Sequence, residues 1–248
     1  MKFIPSHSID MVMTSPPYDN LRTYGNSLQW NRAIWERIIE HLFRILKDGG
    51  VCVWVVGDAT VKGNETGTSF RQALYAKKIG FNLHDTMIYQ KPQACFGSNL
   101  CYLQSFEYMF VFSKGRPKSL NLIRDRNNIR VGKESMSKGG IGKDGSKKQR
   151  VRKEMKKYGR RKNIWTYGVG GGNSGHPAVF PLQLAIDHIE SWSDDQDIIL
   201  DPFIGSGTTA IACINTDRNY IGIEKNKRYY KMACEQIKNH KKESEVSH

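Results

Sequence analysis

Asp197-Ile198-Ile199-Leu200-Asp201-Pro202-Phe203-Ile204-Gly205-Ser206-Gly207-Thr208-Thr209 is the stretch whose reading decides the fold. Within it Asp197 leads into the apolar run Ile198 to Leu200, which predicts a buried strand delivering Asp201 at its end, and the glycines that follow predict a tight turn. Thr208 to Asn215 then reads as a helix. Tyr220-Ile221-Gly222-Ile223-Glu224 is the next strand, and its terminal acid stands 23 positions after Asp201. Strand, glycine turn, helix, strand and acid is the arrangement that nucleotide-type cofactors use, because glycines let backbone approach the ligand and the acid accepts from ribose hydroxyls. A phosphate-binding loop is excluded, since no Lys precedes the Ser or Thr. A dinucleotide site is poorly matched, since Gly205-Ser206-Gly207 lacks the third glycine of that fingerprint.

Working outward, helix and strand patterns alternate along the chain. Ile9 to Met13 reads as a short buried strand, Ser27 to Lys47 as an amphipathic helix stopped by Gly49-Gly50, and Val51 to Val56 as a strand buried on both faces. Asp58, at the end of that strand, reads first as a loop cap and second as a ligand-side acid. Ser69 to Lys78 reads as a helix, and Phe81 to Gln90 and Gln104 to Ser113 as strands. Ile164 to Tyr167 restores ordered sequence after a polar stretch, and Leu182 to Ser191 is a helix started by Pro181. Asn226 to Lys238 is a final helix, and Lys241 to His248 reads as a frayed tail. The alternation predicts an α/β fold, a mostly parallel twisted sheet with helices on both faces.

The chain has 248 residues and a net charge of +14. From Lys114 to Lys162 there are 19 Lys and Arg against four acids, a local balance of +15 that leaves the remainder near neutrality at −1. Charge confined to one insertion points to a polyanionic partner. No apolar run approaches the ~20 residues of a membrane span, and Met1-Lys2-Phe3-Ile4-Pro5 has no signal-peptide core, so a cytoplasmic protein is expected. The five cysteines are odd in number and form no CxxC pair; neither a disulfide framework nor a metal site is expected.

The second decisive motif is Thr14-Ser15-Pro16-Pro17-Tyr18. Consecutive prolines hold the segment extended, so the carbonyls of Ser15 and Pro16 stay outside any helix beside a flat Tyr ring. That suits a planar group carrying an NH2. A strand ending in a Pro-Pro turn with an aromatic packed on it is the plainer reading of the five residues alone.

Together, TSPPY followed by DPFIGSGTT resembles the DNA amino-methyltransferases that act on exocyclic amines of bases, in the permuted order with the catalytic motif first. The resemblance implies a Rossmann-like methyltransferase fold and S-adenosylmethionine as cofactor. It implies that Ser15, Pro16, Pro17 and Tyr18 are catalytic. Thr14, Asp201, Pro202, Phe203, Gly205, Ser206, Gly207, Thr208, Thr209 and Glu224 then form the cofactor set, to which the HPAxFP stretch adds His176, Pro177 and Phe180. The division implied is residues 1–113 as the catalytic half, 114–162 as a basic target-recognition insertion, 163–240 as the cofactor half and 241–248 as the tail. Double-stranded DNA is the partner implied. Arg126, Asn127, Asn128 and Arg130 are candidate base readers, and Lys147, Lys148, Arg150 and Arg152 candidate phosphate contacts. Relatives of this order often begin with an extra strand and helix near the cofactor adenine, whereas Thr14 comes almost at once here. The adenine pocket is therefore expected to be completed elsewhere, left partly open, or walled by a partner in a homodimer. Ser-Pro-Pro-Tyr leans toward cytosine-N4, with adenine-N6 as the alternative. RNA or protein methylation, and a non-catalytic nucleic-acid-binding protein, are the more distant ones.

Overall fold

The computed structural model describes residues 1–17, 30–92, 102–129, 131–136, 146, 152–168 and 180–246. In chain order the elements are β1 (Ile9–Thr14), α1 (Arg32–Ile45), β2 (Leu46–Val56), β3 (Thr60–Val61), β4 (Asn64–Glu65), α2 (Thr68–Lys78), β5 (Asn82–Gln90) and β6 (Phe106–Ser113). Then come β7 (Arg126–Asn127), β8 (Glu134–Met136), β9 (Arg152–Glu154), β10 (Tyr158–Gly159) and β11 (Ile164–Thr166). The last are α3 (Leu182–Trp192), β12 (Ile198–Asp201), α4 (Thr208–Ile214), β13 (Asn219–Gly222) and α5 (Lys227–Val246).

Two compact units result, one of residues 1–121 and 163–248 and a second of Leu122–Lys162. In the first unit a seven-stranded sheet runs in the order β11-β5-β6-β2-β1-β12-β13. All neighbours pair parallel except β6, which is antiparallel to both β2 and β5. Strand alternation sends side chains to two buried faces. Cys52, Trp54, Val56, Phe110 and Phe112 pack with Trp35, Ile39 and Leu42 of α1 and with Ala73 and Ala76 of α2. Met11, Met13 and Met109 are fully buried outside that cluster, and Met109 meets His188 of α3 at 3.2 Å. Helices thus cover both faces, as the continuous apolar run Val51 to Val56 requires. Each large side chain withdrawn this way is worth about 1.5–3 kcal/mol.

Several boundaries differ from the sequence reading. α1 starts at Arg32, where the Asn31 side chain accepts from the Ile34 N–H at 3.1 Å, a cap that outweighs the apolar pattern before it. Gly49-Gly50 does not stop the helix. Strand pairing begins at Leu46, and the glycines lie inside β2 where the register to β1 shifts, with Gly49 at φ +81 and a Cβ on Gly50 only 2.8 Å from the Lys47 carbonyl. Lys241 to Val246 is not a frayed tail but the end of α5, held near its middle by His240 against Asn215. Lys114 to Asn121 belongs with the first unit rather than with the insertion. The Lys114 ammonium donates to the carbonyls of Phe43 and Leu46, both at 3.0 Å, and so satisfies the end of α1.

The second unit is built from two short antiparallel pairs, β7 with β10 and β8 with β9. It holds 16 Lys and Arg against four acids.

Candidate active site

The two motifs meet at the carboxyl ends of adjacent parallel strands. Met11 and Val12 of β1 pair with Ile199 and Leu200 of β12, so Thr14-Ser15 and Asp201-Pro202 leave the sheet side by side. This edge is where open α/β sheets bind ligands. Thr14, Asp201 and Thr209 are all buried there. The Thr14 hydroxyl donates to Asp201 Oδ1 at 2.7 Å, the Thr209 hydroxyl to Oδ2 at 2.6 Å, and the Phe203 N–H to Oδ1 at 3.0 Å. The three side chains spend their polar atoms on one another, so they tie the two motifs together and set the loop's path. Burial pushes the Asp201 carboxyl up to about 6, against the pull of the Thr209 and Thr14 hydroxyls and the Phe203 N–H.

The turn itself is shaped by glycines. Gly205 sits at φ +51 and Gly207 at φ +98, a left-handed backbone that other residues adopt only at a cost. A Cβ on Gly222 opposite would come 2.2 Å from Ile204 Cδ1 and 3.1 Å from its Cγ2, so the glycine gives the Ile204 side chain its room. Glu224 lies just beyond β13. Its Oε2 accepts from the Gly205 N–H at 3.1 Å and its Oε1 from the Asn226 N–H at 2.7 Å. A carboxylate has about four acceptor sites, so room remains for hydroxyls of a ligand. Glycine backbone, an acid beside the turn and no cation in the turn fit an adenosine-bearing zwitterion better than a polyphosphate. Those features match S-adenosylmethionine.

Ser15 is half-buried where the chain leaves β1, and Pro16 and Pro17 are buried after it. Phe180 is half-buried immediately before α3. Tyr18, His176, Pro177, Arg130, Lys147, Lys148 and Arg150 lie outside the described residues, and of Arg152 only the backbone, in β9, is described. Arg126 and Asn128 of the second unit donate to the carbonyls of Arg160 (3.2 Å) and Lys156 (2.8 Å), which leaves exposed Asn127 the freer side chain of the three. Asp58 accepts from the Ser69 N–H at 2.9 Å, from the Thr66 hydroxyl at 3.2 Å and from the Ser69 hydroxyl. It caps α2, the first of its two readings.

Sequence reasoning missed Trp30, whose ring meets that of Phe203 edge-on at 5.6 Å and so buttresses the turn after Asp201. No local signal marks that pairing. Among the described residues no group of His, Cys, Asp and Glu could hold a metal ion, and no helix is long and apolar enough to cross a membrane.

A family model described as DNA methylase matches residues 9–235. The chain belongs to the DNA methylase family. As a member it is an S-adenosylmethionine-dependent DNA methyltransferase of the group that modifies exocyclic N4 or N6 amines. It is similar to the orphan methyltransferase M.BamHII of Bacillus amyloliquefaciens, 49% identical over 242 residues, covering 94% of this chain and 90% of the relative. It is also similar to the type II methyltransferase M.SmaI of Serratia marcescens, 29% identical over 273 residues and covering 94% and 86%. Among solved structures, the PvuII DNA methyltransferase, described as cytosine-N4-specific, superposes with a TM-score of 0.65 at 19% identity, covering 96% of this chain and 86% of that one. The M1.HpyAVI–SAM complex superposes at 0.62 and 20% identity, covering 93% and 89%. These two likenesses confirm the methyltransferase fold of this DNA methylase.

Proposed function

We propose that the chain methylates the exocyclic amine of a base flipped out of duplex DNA, with cytosine N4 as the preferred target. The observation that carries this reading is the juxtaposition of Ser15-Pro16 with the Asp201 turn, locked by the Thr14–Asp201 hydrogen bond. Preference for cytosine rests on the Ser at the head of the motif.

When bound, the cofactor supplies an electrophilic methyl group on a sulfonium. An exocyclic amine is a poor nucleophile because its lone pair is delocalised into the ring. The Ser15 hydroxyl and the Pro16 carbonyl accept hydrogen bonds from the NH2 and hold the nitrogen pyramidal, with its lone pair directed at the methyl. Held by Ser15 and Pro16, the amine would take the methyl that the sulfonium supplies, the cofactor would leave as a neutral thioether, the surplus amine proton would pass to water, and no covalent enzyme intermediate is needed. Catalysis is orientation and preorganised hydrogen bonding. Stacking on Tyr18 offsets part of the few kcal/mol that extrusion costs. Glu224 holds the ribose hydroxyls, and Gly205 and Gly207 admit the amino-acid end of the cofactor. Thr14, Asp201 and Thr209 act as positioning residues behind them. The basic second unit, Leu122–Lys162, serves target recognition, with Lys147, Lys148, Arg150 and Arg152 on phosphates and Asn127 foremost among the base readers.

The test is incubation of the protein with labelled S-adenosylmethionine and DNA, followed by nucleoside analysis by mass spectrometry. N4-methylcytosine is the expected product. N6-methyladenine alone would overturn the base preference, and label in RNA or protein with DNA untouched would overturn the reading as a whole.

A further inference from the structure

Outside residues 114–162 the chain is close to neutral, yet one helix there is strongly basic on a single face. α5 carries Lys227, Arg228, Lys231, Lys238, Lys241 and Lys242. At 3.6 residues per turn these six fall within an arc of about 140°, in which the exposed acid Glu235 also lies. The arc lies away from buried Ala233 and half-buried Ile237, and all six side chains are exposed. None makes an ion pair among the described residues. Lys227, Arg228 and Lys231 line an open groove with Met232 and Glu235.

A solvated helix face is normally laced with acids three or four positions from its cations. Here Glu235 stands four positions after Lys231 and three before Lys238, but Lys227 and Lys231, Lys238 and Lys242, and Lys238 and Lys241 place like charges at the same spacings, so cations outnumber acids along the face. The first turn holds cations and no acid, against the helix dipole. Such a face is unfavourable for the helix on its own, and a polyanion laid along it removes both penalties.

Its dimensions and place are also right. Lys227 to Lys242 spans about 22 Å at 1.5 Å per residue, the axial length of six or seven base pairs. α5 begins just beyond the carboxyl end of β13, at the edge of the sheet where Ser15 emerges. β13 is two strands from β1, about 10 Å at ordinary strand spacing. Five of the six cations are Lys, point charges suited to phosphate rather than to bidentate reading of base edges.

We infer that the basic face of α5 is a second DNA-binding surface, which grips the phosphodiester backbone beside the target base without regard to sequence. This rests on the reading of the chain as an enzyme of duplex DNA. The test uses the full chain with four substitutions, Lys227→Gln, Lys231→Gln, Lys238→Gln and Lys242→Gln, and measures duplex affinity over a range of KCl. The log–log slope should flatten by about 0.9 for each phosphate that is no longer neutralised, up to about three to four units, equally on specific and random DNA. Cofactor affinity should stay unchanged and the melting temperature should hold or rise. The matching Lys→Arg variant, which keeps the charge, should keep the slope; a flattened slope in both variants would overturn the inference. A wild-type chain with steep salt dependence and a Gln variant that keeps all of it would overturn this surface alone. A wild-type chain with no affinity for DNA would overturn the duplex-DNA reading, and this surface with it.

Discussion

Replacing Thr14 by Val keeps the side-chain volume and removes one hydroxyl from the buried link between the two motifs. In the wild type that hydroxyl donates to Asp201 Oδ1 at 2.7 Å, and its removal leaves this oxygen with the Phe203 N–H alone. The cost depends on whether Asp201 is ionised. Its folded value of about 6 stands above the ordinary carboxylate value of 3.8. A group raised on folding gives stability that is complete below the unfolded value and is lost as pH rises through the folded one. Near pH 8 Asp201 is a buried carboxylate, and a hydrogen bond to it is worth about 1.5–3 kcal/mol; near pH 5 it is a neutral acid, and the bond is worth about 0.5–1.5 kcal/mol. Thr14→Val should therefore cost roughly 1 kcal/mol more at the higher pH, since it raises the Asp201 value further. Urea unfolding of both proteins at the two pH values measures the difference. Equal costs, or a larger cost near pH 5, would refute the ionised, hydroxyl-held Asp201.

Four further outcomes are expected. Glu224→Ala should weaken cofactor binding by about 1.5–3 kcal/mol, as for removal of a charge-assisted hydrogen bond, and calorimetry on the folded protein reads this directly. Tyr18→Ala should lose most methyl transfer while cofactor affinity barely moves; abolished cofactor binding would contradict the assignment of its ring to the base. Asp58→Ala should destabilise the fold by about 2 kcal/mol through the uncapped start of α2, with kcat unchanged once the protein is folded. Neutralising Lys147, Lys148, Arg150 and Arg152 together should flatten the salt dependence of DNA binding by up to about three to four units and spare the cofactor.

The sheet is legible in the sequence wherever a strand is apolar on both faces, as at Val51 to Val56, because nothing but a doubly covered strand accommodates such a run. It is illegible at β11, whose three residues alternate exposed and buried at the sheet edge and whose partner β5 lies more than 70 residues earlier. Gly49-Gly50 misleads because a glycine pair marks a helix end and a strand irregularity equally well. Lys114 reads by its charge as part of a DNA-binding run, while its ammonium is held by the carbonyls that close α1. The two motifs are legible as loops that follow strands, but the hydrogen bond that joins Thr14 to Asp201 across 187 positions is not, because only the folded sheet brings them together.

That same adjacency of β1 and β12 has a bearing on how the protein is made. β1 leaves the ribosome well before β12, so the side of it that does not pair with β2 has no partner until β12 is synthesised. At 5–20 residues per second the delay is roughly 10–40 s. Through that interval the nascent chain presents an open apolar strand edge carrying Met11 and Met13, side chains wholly buried in the finished molecule. Because β12 is made so long after β1, the sheet closes late, and until then that edge is open to pairing with other chains.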